Sequence, residues 1–409
     1  MANKAYPPSI CPGIPRLGKC PSGWTTCTFN DILTVVERLV PIDDDTVYQL
    51  VTAKRNRGGI VPREQLKGRE IKTQGQYAVR AGDFLIGNRQ IIHGACGIVP
   101  ESLDGAIVSG EYTVLLPKKD LYLPWLSYFA HTVHFQQTCF QSSIGVDVEK
   151  MVFKVDWWLK QRLHVPPLAE QHKIAAILST WETAIEETRT LIAAAKRRKK
   201  AVVQKLLSEY PCNTGHKKDW TKQSLSEIAN LQNDKYDPAT TAENPTCVEL
   251  EHIESGSGRL TGSVLAKQQS SIKNRFQPGD VLFGKLRPYL RKHLLATFPG
   301  VCSTEIWVLR PNCKECLPAY LHALVQTDQF LTAATVSSGS KMPRAEWSFV
   351  ADCVFLIPPI PEQHIIASIL TTADDEIRQL EAKAGALERQ KKGLMQKLLT
   401  GEIRTRQTR

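Results

Sequence analysis

At 409 residues with 42% hydrophobic content, the chain is long enough for two or three cored domains and too apolar for a disordered polymer. A net charge of +11 and a pI near 9.1 favour a polyanionic partner, although many proteins that bind none share that balance. No apolar run approaches the ~20 residues that span a bilayer, and the N-terminus MANKAYPPSICPGIPRLG lacks the apolar core of a signal peptide, so the expected compartment is the cytoplasm.

A Pro-rich, Cys-containing lead runs to Ser22. Trp24–Leu33 (WTTCTFNDIL) then finds an echo in Trp220–Ala229 (WTKQSLSEIA): an aromatic residue, an acidic residue seven on (Asp31, Glu227), and an apolar pair. The pattern predicts a strand and short helix closing each of two related globular units. AVRAGDFLIGNR from Ala78 to Arg89 and FQPGDVLFGKLR from Phe276 to Arg287 read as turns entering buried strands, which gives Gly82, Asp83, Gly279 and Asp280 a structural role. Beyond each strand the chain becomes polar and basic, and a ligand would be read there.

Further correspondences follow in order. AIVSGEYTVLL (Ala106–Leu116) matches VCSTEIWVL (Val301–Leu309), and helix-like Leu123–Phe129 matches Pro318–Leu324. Small-residue loops at Ser142–Gly145 and Ser337–Lys341 correspond, and strands at Leu163–Val165 and Phe355–Ile357 run into double prolines. The two units differ in almost every polar residue of their loops. Like scaffolds with unlike loops suggest two related sites with different ligands.

The stretch Pro166–Leu207 (PPLAEQHKIAAILSTWETAIEETRTLIAAAKRRKKAVVQKLL) recurs ungapped from Pro358 to Leu399, displaced by 192 positions. One inserted residue would rotate every later side chain of a helix by about 100°, so an ungapped repeat preserves a rigid geometry. In the first copy Leu178, Trp181, Ile185, Thr188, Ile192, Ala195, Val202 and Leu206 follow the three-and-four spacing of a coiled-coil seam. The second copy gives Leu370, Ala373, Ile377, Leu380, Ala384, Leu387, Leu394 and Leu398. Lys199 and Lys391 interrupt the seams at equivalent places. Each double proline suits a helix start, and Glu170 and Glu362 sit where the helix dipole favours a carboxylate. About 40 residues reach roughly 60 Å, and two such helices in one chain pair most simply with each other, antiparallel.

The expected class is therefore α+β: two α/β units separated by two long helices that form an antiparallel coiled coil, with a pseudo-twofold internal repeat. The divisions are a first unit at 1–165, a helix at 166–207, a linker at 208–219, a second unit at 220–357, a helix at 358–400 and a tail at 401–409.

Groups that an enzyme acting on DNA needs are absent from the sequence. No GxGxxG or GxxxxGK[ST] loop marks a nucleotide or adenosyl cradle, no Asp/Asn-Pro-Pro-aromatic stretch holds an exocyclic amine, and no HxE with PCxxC suggests a deaminase. Eleven cysteines, an odd number without close regular spacing, fit reduced thiols, and Cys313 with Cys316 lacks the second pair that a structural zinc site needs. Neither catalytic residues, nor a metal, nor a cofactor is expected.

What remains is binding. The run Lys196-Arg197-Arg198-Lys199-Lys200 and the sparser Arg389, Lys391 and Lys392 read as a solvated face or as contacts with phosphates or an acidic partner. Base reading needs side chains that match groove edges, Arg or Lys on guanine and Asn or Gln on adenine. The candidates are Arg55, Arg57, Arg63, Asn88, Arg89 and Gln90 in the first unit, and Lys285, Arg287, Tyr289, Arg291, Lys292, Lys341 and Arg344 in the second.

The PP-x-x-EQH-x-I-A-x-IL opening and QKLL close of each long stretch, repeated after two dissimilar domains, resemble the specificity subunit of Type I restriction-modification systems over nearly the whole chain. GDVLFGKLRPYLRK with CSTEIWVLRP also resembles that family's target-recognition domain; GNRQIIHG in the first unit departs from it. The resemblance implies target-recognition domains, each with a small curved sheet, that dock in the major groove of one half-site while the paired helices set a gap. It implies no catalysis by the chain itself. Adenine methylation and cleavage would fall to partners, two methyltransferase subunits and motor-nuclease restriction subunits, acting on double-stranded DNA. The solvent-side residues Glu170, Gln171, His172, Glu362, Gln363 and His364 then become candidate partner contacts, with local capping as the alternative. Two other readings stay open: a severed part of a fused restriction-modification enzyme, and a coiled-coil scaffold binding nucleic acid without base preference.

Overall fold

A computed structural model describes residues 16–73, 75–207, 219–336 and 343–405. They fall into two compact units, one of the described residues up to 187 with those from 384 onward and the other of those between 188 and 383, so the boundary lies inside each long helix.

In the first unit an antiparallel four-stranded sheet runs in the order Leu33–Val35, Tyr112–Pro117, Phe84–Gly87, Cys96–Ile98. A five-stranded sheet runs Leu39–Val40, Gln76–Ala78, Ile107–Ser109, Val47–Ala53, Ile60–Lys67, with one parallel pair between Leu50 and Ile107. The second unit repeats this plan: Ala229–Gln232, Ile306–Pro311, Val281–Gly284 and His293–Leu295 form the four-stranded sheet. Lys235–Tyr236, Lys273–Phe276, Gly300–Ser303, Thr246–Val248 and Val264–Leu265 form the five-stranded one, again with a single parallel pair. A four- and a five-stranded sheet in each unit, with short two-stranded ladders beside them, replace the one small sheet implied by the resemblance. The reason is a corner: Gly110 and Glu111, or Thr304 and Glu305, carry the chain from one sheet directly into the other.

The apolar runs at these strands are continuous because both faces of the four-stranded sheet are covered. Phe84 and Ile86 face one core with Trp125, Phe135 and Trp158, whereas Leu85 faces another with Val51, Val108 and Val114. Val281 and Phe283 face Tyr320 and Phe330, while Leu282 joins Val248, Phe276 and Val308. Alternation along the strand assigns these sides.

The Gly-Asp turns have a second function in packing. Gly82 and Gly279 take φ of +86° and +91°, open to glycine. The buried carboxylates of Asp83 and Asp280 then accept paired hydrogen bonds from Arg38 (2.6 and 3.1 Å) and Arg310 (2.8 and 2.8 Å). The acidic residues of the two echoes close capping boxes: Asp31 accepts from Thr28 N, and Glu227 from Ser224 N. The residues within each echo form the strand and turn of helix at Thr25–Ile32 and Thr221–Ile228.

The long helices span Leu168–Leu207 and Ile360–Leu399. Within the second unit they run antiparallel, as Lys196–Glu381 (2.7 Å), Arg198–Glu376 and Lys199–Asp374 (2.7 Å) establish. Within the first unit Glu182–Lys391 (2.5 Å) has the same sense. Leu178, Ile185, Leu370, Ile377 and Leu398 are buried, and Trp181, Ile192, Leu380, Leu387 and Leu394 are half-buried.

The seam needs one correction. At the end of the first helix Val203 and Leu207 are the buried residues, with Val202 and Leu206 beside them and half-buried. A straight helix drifts about 20° per heptad against a seven-residue repeat, and these last turns also pack on the globular core of their unit. Ile174 and Ile366, outside the predicted seam, are buried for the same reason. In the small-residue loop at Ser142–Gly145, Ser143–Ile144 pairs with Val152–Phe153 as a short strand. Ser337–Lys341 lies outside the described residues.

Candidate nucleic-acid interface

In the first unit the strand Phe84–Gly87 delivers Asn88, Arg89 and Gln90 to the surface, and the structure brings Arg55 to the same place. Arg55 Nε donates to Gln90 Oε1 at 2.7 Å, and its Nη2 reaches Glu149 Oε2 at 2.6 Å. Arg89 engages Glu111 through Nε (2.5 Å) and Nη2 (3.1 Å), which raises its pKa. Asn88 is fixed through both backbone and side chain: its N–H donates to Glu111 O, its carbonyl accepts from Phe153 N, and its Oδ1 accepts from Thr113 Oγ1.

Two expected members do not join this group. Arg63 stands exposed on Ile60–Lys67 and pairs with Glu64 at 3.1 Å. Arg57 turns inward: its Nε donates to Ala130 O at 3.0 Å, its Nη2 is buried without a hydrogen-bond partner among the described residues, and burial lowers its pKa. It lines a cavity of about 720 Å³ with Trp24, His93, Phe129 and His131, and among the described residues no carboxylate lines that space. Burial, followed by the charges of Arg57 and Lys391, pushes His131 down to about 4, so it is neutral at pH 7.

In the second unit Lys285, Arg287 and Arg344 come together because residues 285–287 pair with 343–345. Ala345 N donates to Lys285 O, Arg287 N donates to Pro343 O, and Leu286 bridges Arg344. Arg344 then holds Glu305 through Nε (3.1 Å) and Nη2 (3.4 Å). Tyr289 is exposed on the turn that follows. Arg291 and Lys292 are committed elsewhere: Arg291 Nη2 donates to Asp328 at 2.8 Å and Lys292 Nζ to Leu250 O at 2.6 Å. Both are half-buried. Lys341 lies outside the described residues.

Arg57, Arg287 and Arg291 all have positive φ (57°, 53° and 51°), a conformation that L-residues seldom adopt and that costs of order 1 kcal/mol. Such strain persists where surrounding hydrogen bonds impose it, here those of Arg57 N to Gly94 O and Arg287 N to Pro343 O.

The glutamines of the two EQH stretches do not face solvent. Gln171 Oε1 accepts from Tyr122 N at 2.8 Å, and its Nε2 donates to Asp120 O and Pro166 O. Gln363 repeats the pattern on Leu317 N, Glu315 O and Pro358 O. Both are fully buried, so each latches its helix start to the unit instead of meeting a partner. Glu170 and Glu362 also act locally, accepting from the indoles of Trp24 (3.1 Å) and Trp220 (2.8 Å). Of the six, His172 and His364 are exposed, His172 being stacked on Tyr122.

The basic run is largely matched by acids within its unit. Lys196, Arg198 and Lys199 pair with the second long helix as above, and Lys200 lies 3.9 Å from Asp328. Behind them sits a buried histidine pair, His293 Nδ1 to His322 Nε2 at 2.8 Å. Burial pushes His322 down to about 4, with Lys199 contributing; burial, His322, Lys199 and Arg291 hold His293 well below its ordinary value.

Among the described residues no group of three or more His, Cys, Asp or Glu is placed to hold a metal, and no helix is long and apolar enough to cross a membrane. Sequence reasoning missed Glu111, Glu149 and Glu305, which hold the loop arginines. The Ser-x-Glu shared by AIVSGEYTVLL and VCSTEIWVL was the available signal.

The pattern of the Type I restriction modification DNA specificity domain matches residues 21–197 and again 217–389. The specificity subunit of the Type I restriction enzyme EcoDI from Escherichia coli is 27% identical over 177 residues, 42% of this chain and 37% of that protein. The MjaVIII specificity subunit of Methanocaldococcus jannaschii is 22% identical over 284 residues, 63% of this chain and 65% of that one. These matches span less than two thirds of the length of either relative. Among solved structures, a chain from a study of assembly and conformational transition of the type I R-M system superposes with a TM-score of 0.62 at 19% identity, covering 94% of this chain and 100% of that one. The HsdS subunit from Thermoanaerobacter tengcongensis gives 0.52 at 16%, covering 94% and 99%. The S subunit from M. genitalium gives 0.52 at 15%, covering 95% and 99%. At these identities the likeness shows the fold.

Proposed function

The chain belongs to the Type I restriction modification DNA specificity domain family, and from that premise we propose that it is the subunit that selects the DNA sequence for a Type I restriction-modification complex. Each unit reads one half of a bipartite target, and the paired helices set the unread gap. Two methyltransferase subunits and the restriction subunits bind the same chain and perform adenine methylation and cleavage, in the cytoplasm. One observation carries this reading: the same pairing of a four- and a five-stranded sheet occurs twice, and the same corner of each copy presents a different cluster of polar and basic side chains. Arg55, Asn88, Arg89 and Gln90 stand at the first, Lys285, Arg287 and Arg344 at the second. Arginine suits guanine, and asparagine or glutamine suits adenine, in the major groove. Two small modules can specify two short blocks, and their separation then becomes a property of whatever joins them.

The test is genome-wide mapping of methylated adenines in cells expressing the chain with its co-encoded methyltransferase, beside cells carrying Ile377→Asp with Leu380→Asp. A split motif of fixed gap, lost in the variant, supports the proposal. Continuous or absent methylation overturns it and favours a scaffold that binds nucleic acid electrostatically, in which case unrelated DNA competes equally and salt abolishes binding.

A further inference from the structure

In each unit the chain leaves the five-stranded sheet through the same three-residue corner, Ser109-Gly110-Glu111 and Ser303-Thr304-Glu305. Its geometry is repeated bond for bond. The serine Oγ accepts the glutamate N–H, at 3.4 Å in one unit and 3.3 Å in the other. The glutamate carbonyl accepts the N–H of the first loop residue, Asn88 at 2.8 Å or Lys285 at 2.9 Å. The two carboxylates are thereby fixed at equivalent points beside the loops.

Each carboxylate takes an arginine by the same edge. Glu111 accepts Nε and Nη2 of Arg89, and Glu305 accepts Nε and Nη2 of Arg344. The arginines themselves are not equivalent in sequence. Arg89 follows Asn88 directly, whereas Arg344 arrives from a segment 39 residues beyond its glutamate. Unlike loops have therefore converged on one charge geometry at one corner. A carboxylate on a face that meets phosphates weakens binding, so its recurrence calls for a compensating use.

We propose that Glu111 and Glu305 are positioning residues that present Arg89 and Arg344 to a guanine in each half of the target. This rests on the DNA-reading function proposed above. Engagement through Nε and Nη2 leaves Nη1 and the outer hydrogen of Nη2 pointing away from the carboxylate, and that end-on fork matches guanine O6 and N7. Both arginines remain open to solvent, with side-chain exposures of 58% and 52%. In free protein the pairs are screened by water; in a groove that excludes water the same contact strengthens and fixes the fork.

The experiment uses the full chain co-expressed with its methyltransferase subunits and reads the motif by adenine-methylation mapping in Arg89→Ala, Arg89→Lys, Glu111→Gln, Arg344→Ala, Arg344→Lys and Glu305→Gln. Each arginine variant is expected to relax one guanine position, by roughly tenfold or more in discrimination, while the other half-site stays intact. Each glutamine variant relaxes the same position as its arginine partner, to a smaller extent. The untouched half-site reports that the protein is folded and assembled. The inference is overturned if guanine is retained in Arg89→Ala or Arg344→Ala, if the relaxed position is not guanine, or if the glutamine variants lower methylation at all sites with the motif unchanged. Uniform loss in both the Ala and Lys variants of one arginine also counts against it. Absence of any split motif in the wild-type protein would instead sink the underlying function.

Discussion

Lys199 Nζ of the first long helix reaches Asp374 Oδ1 of the second at 2.7 Å, and Lys391 reaches Glu182 at 2.5 Å at positions displaced by the same 192 residues. The two interruptions in the apolar seam are thus ion pairs that join the helices inside each unit. Each also ties the helix to its globular part, Lys199 through Gln326 Oε1 at 2.9 Å and Lys391 by lying 5.8 Å from the Tyr128 ring centroid. Polar groups in a seam fix register and orientation at some expense in stability.

Replacing Lys199 with Ala leaves Asp374, 31% exposed, beside the vacated site. The expected loss is about 1–3 kcal/mol, visible as a lower urea midpoint. The double variant Lys199→Met with Asp374→Leu is expected to recover most of it, because a matched apolar pair removes both charges together. Non-recovery in a double-mutant cycle would assign the loss to Gln326 instead.

Among the described residues, Glu170 is held by more partners than its counterpart in the other EQH stretch. Besides the Trp24 indole, Arg404 donates to it through Nε (2.9 Å) and Nη2 (2.8 Å). Burial pushes the Glu170 carboxyl up, but these hydrogen bonds and the Arg404 charge outweigh burial and hold it below its ordinary value. Glu170→Ala is expected to destabilise by about 2–4 kcal/mol, and Arg404→Ala by less, since Trp24 still supplies one donor. Thermal unfolding of the two variants and their combination checks the order.

Gln171 and Gln363 each satisfy three backbone groups. Either glutamine changed to Ala should cost about 2–4 kcal/mol, because buried groups lose partners that water cannot replace. Hydrogen exchange is expected to quicken at Tyr122 N in the first variant and at Leu317 N in the second.

Acid should weaken the fold before carboxylates protonate. His322, His293 and His131 are kept neutral by burial and nearby cations, with His322 and His131 down to about 4. Unfolded histidine takes its proton near 6.5, so between about 6.5 and 4 the unfolded chain binds more protons. Stability is therefore full above that window and falls as pH drops through it. Urea midpoints from pH 7.5 to 4.5 should show the decline, and His322→Gln should flatten it. An unchanged slope in that variant would mean that the ring ionises freely in the native state.

The proposed ruler makes a quantitative demand. Seven residues inserted into each long helix between matched turns add about 10.5 Å, or about three base pairs, to the gap. Methylation mapping should return the same half-sites about three positions further apart. A single-residue insertion should abolish the motif, since it turns the seam away from its partner.

The sequence by itself determined the duplicated plan, the two long helices and their pairing, and the α+β class, because periodicity and repeat spacing are local properties that a helix or strand obeys wherever it sits. It also assigned Gly82 and Gly279 to turns, since a Gly-Asp before a buried run leaves few backbone conformations. Tertiary structure alone decided which polar residues face outward. Gln171 and Arg57 look like surface groups in sequence, yet backbone carbonyls at Asp120 and Ala130 draw them inside. The partners that fix charge are remote along the chain: Arg89 to Glu111 across 22 residues, Arg344 to Glu305 across 39, Arg404 to Glu170 across 234. Local propensity carries no information over such separations; only the closed fold, by fixing both ends of each pair in space, selects which cation meets which carboxylate and which is left to read a ligand.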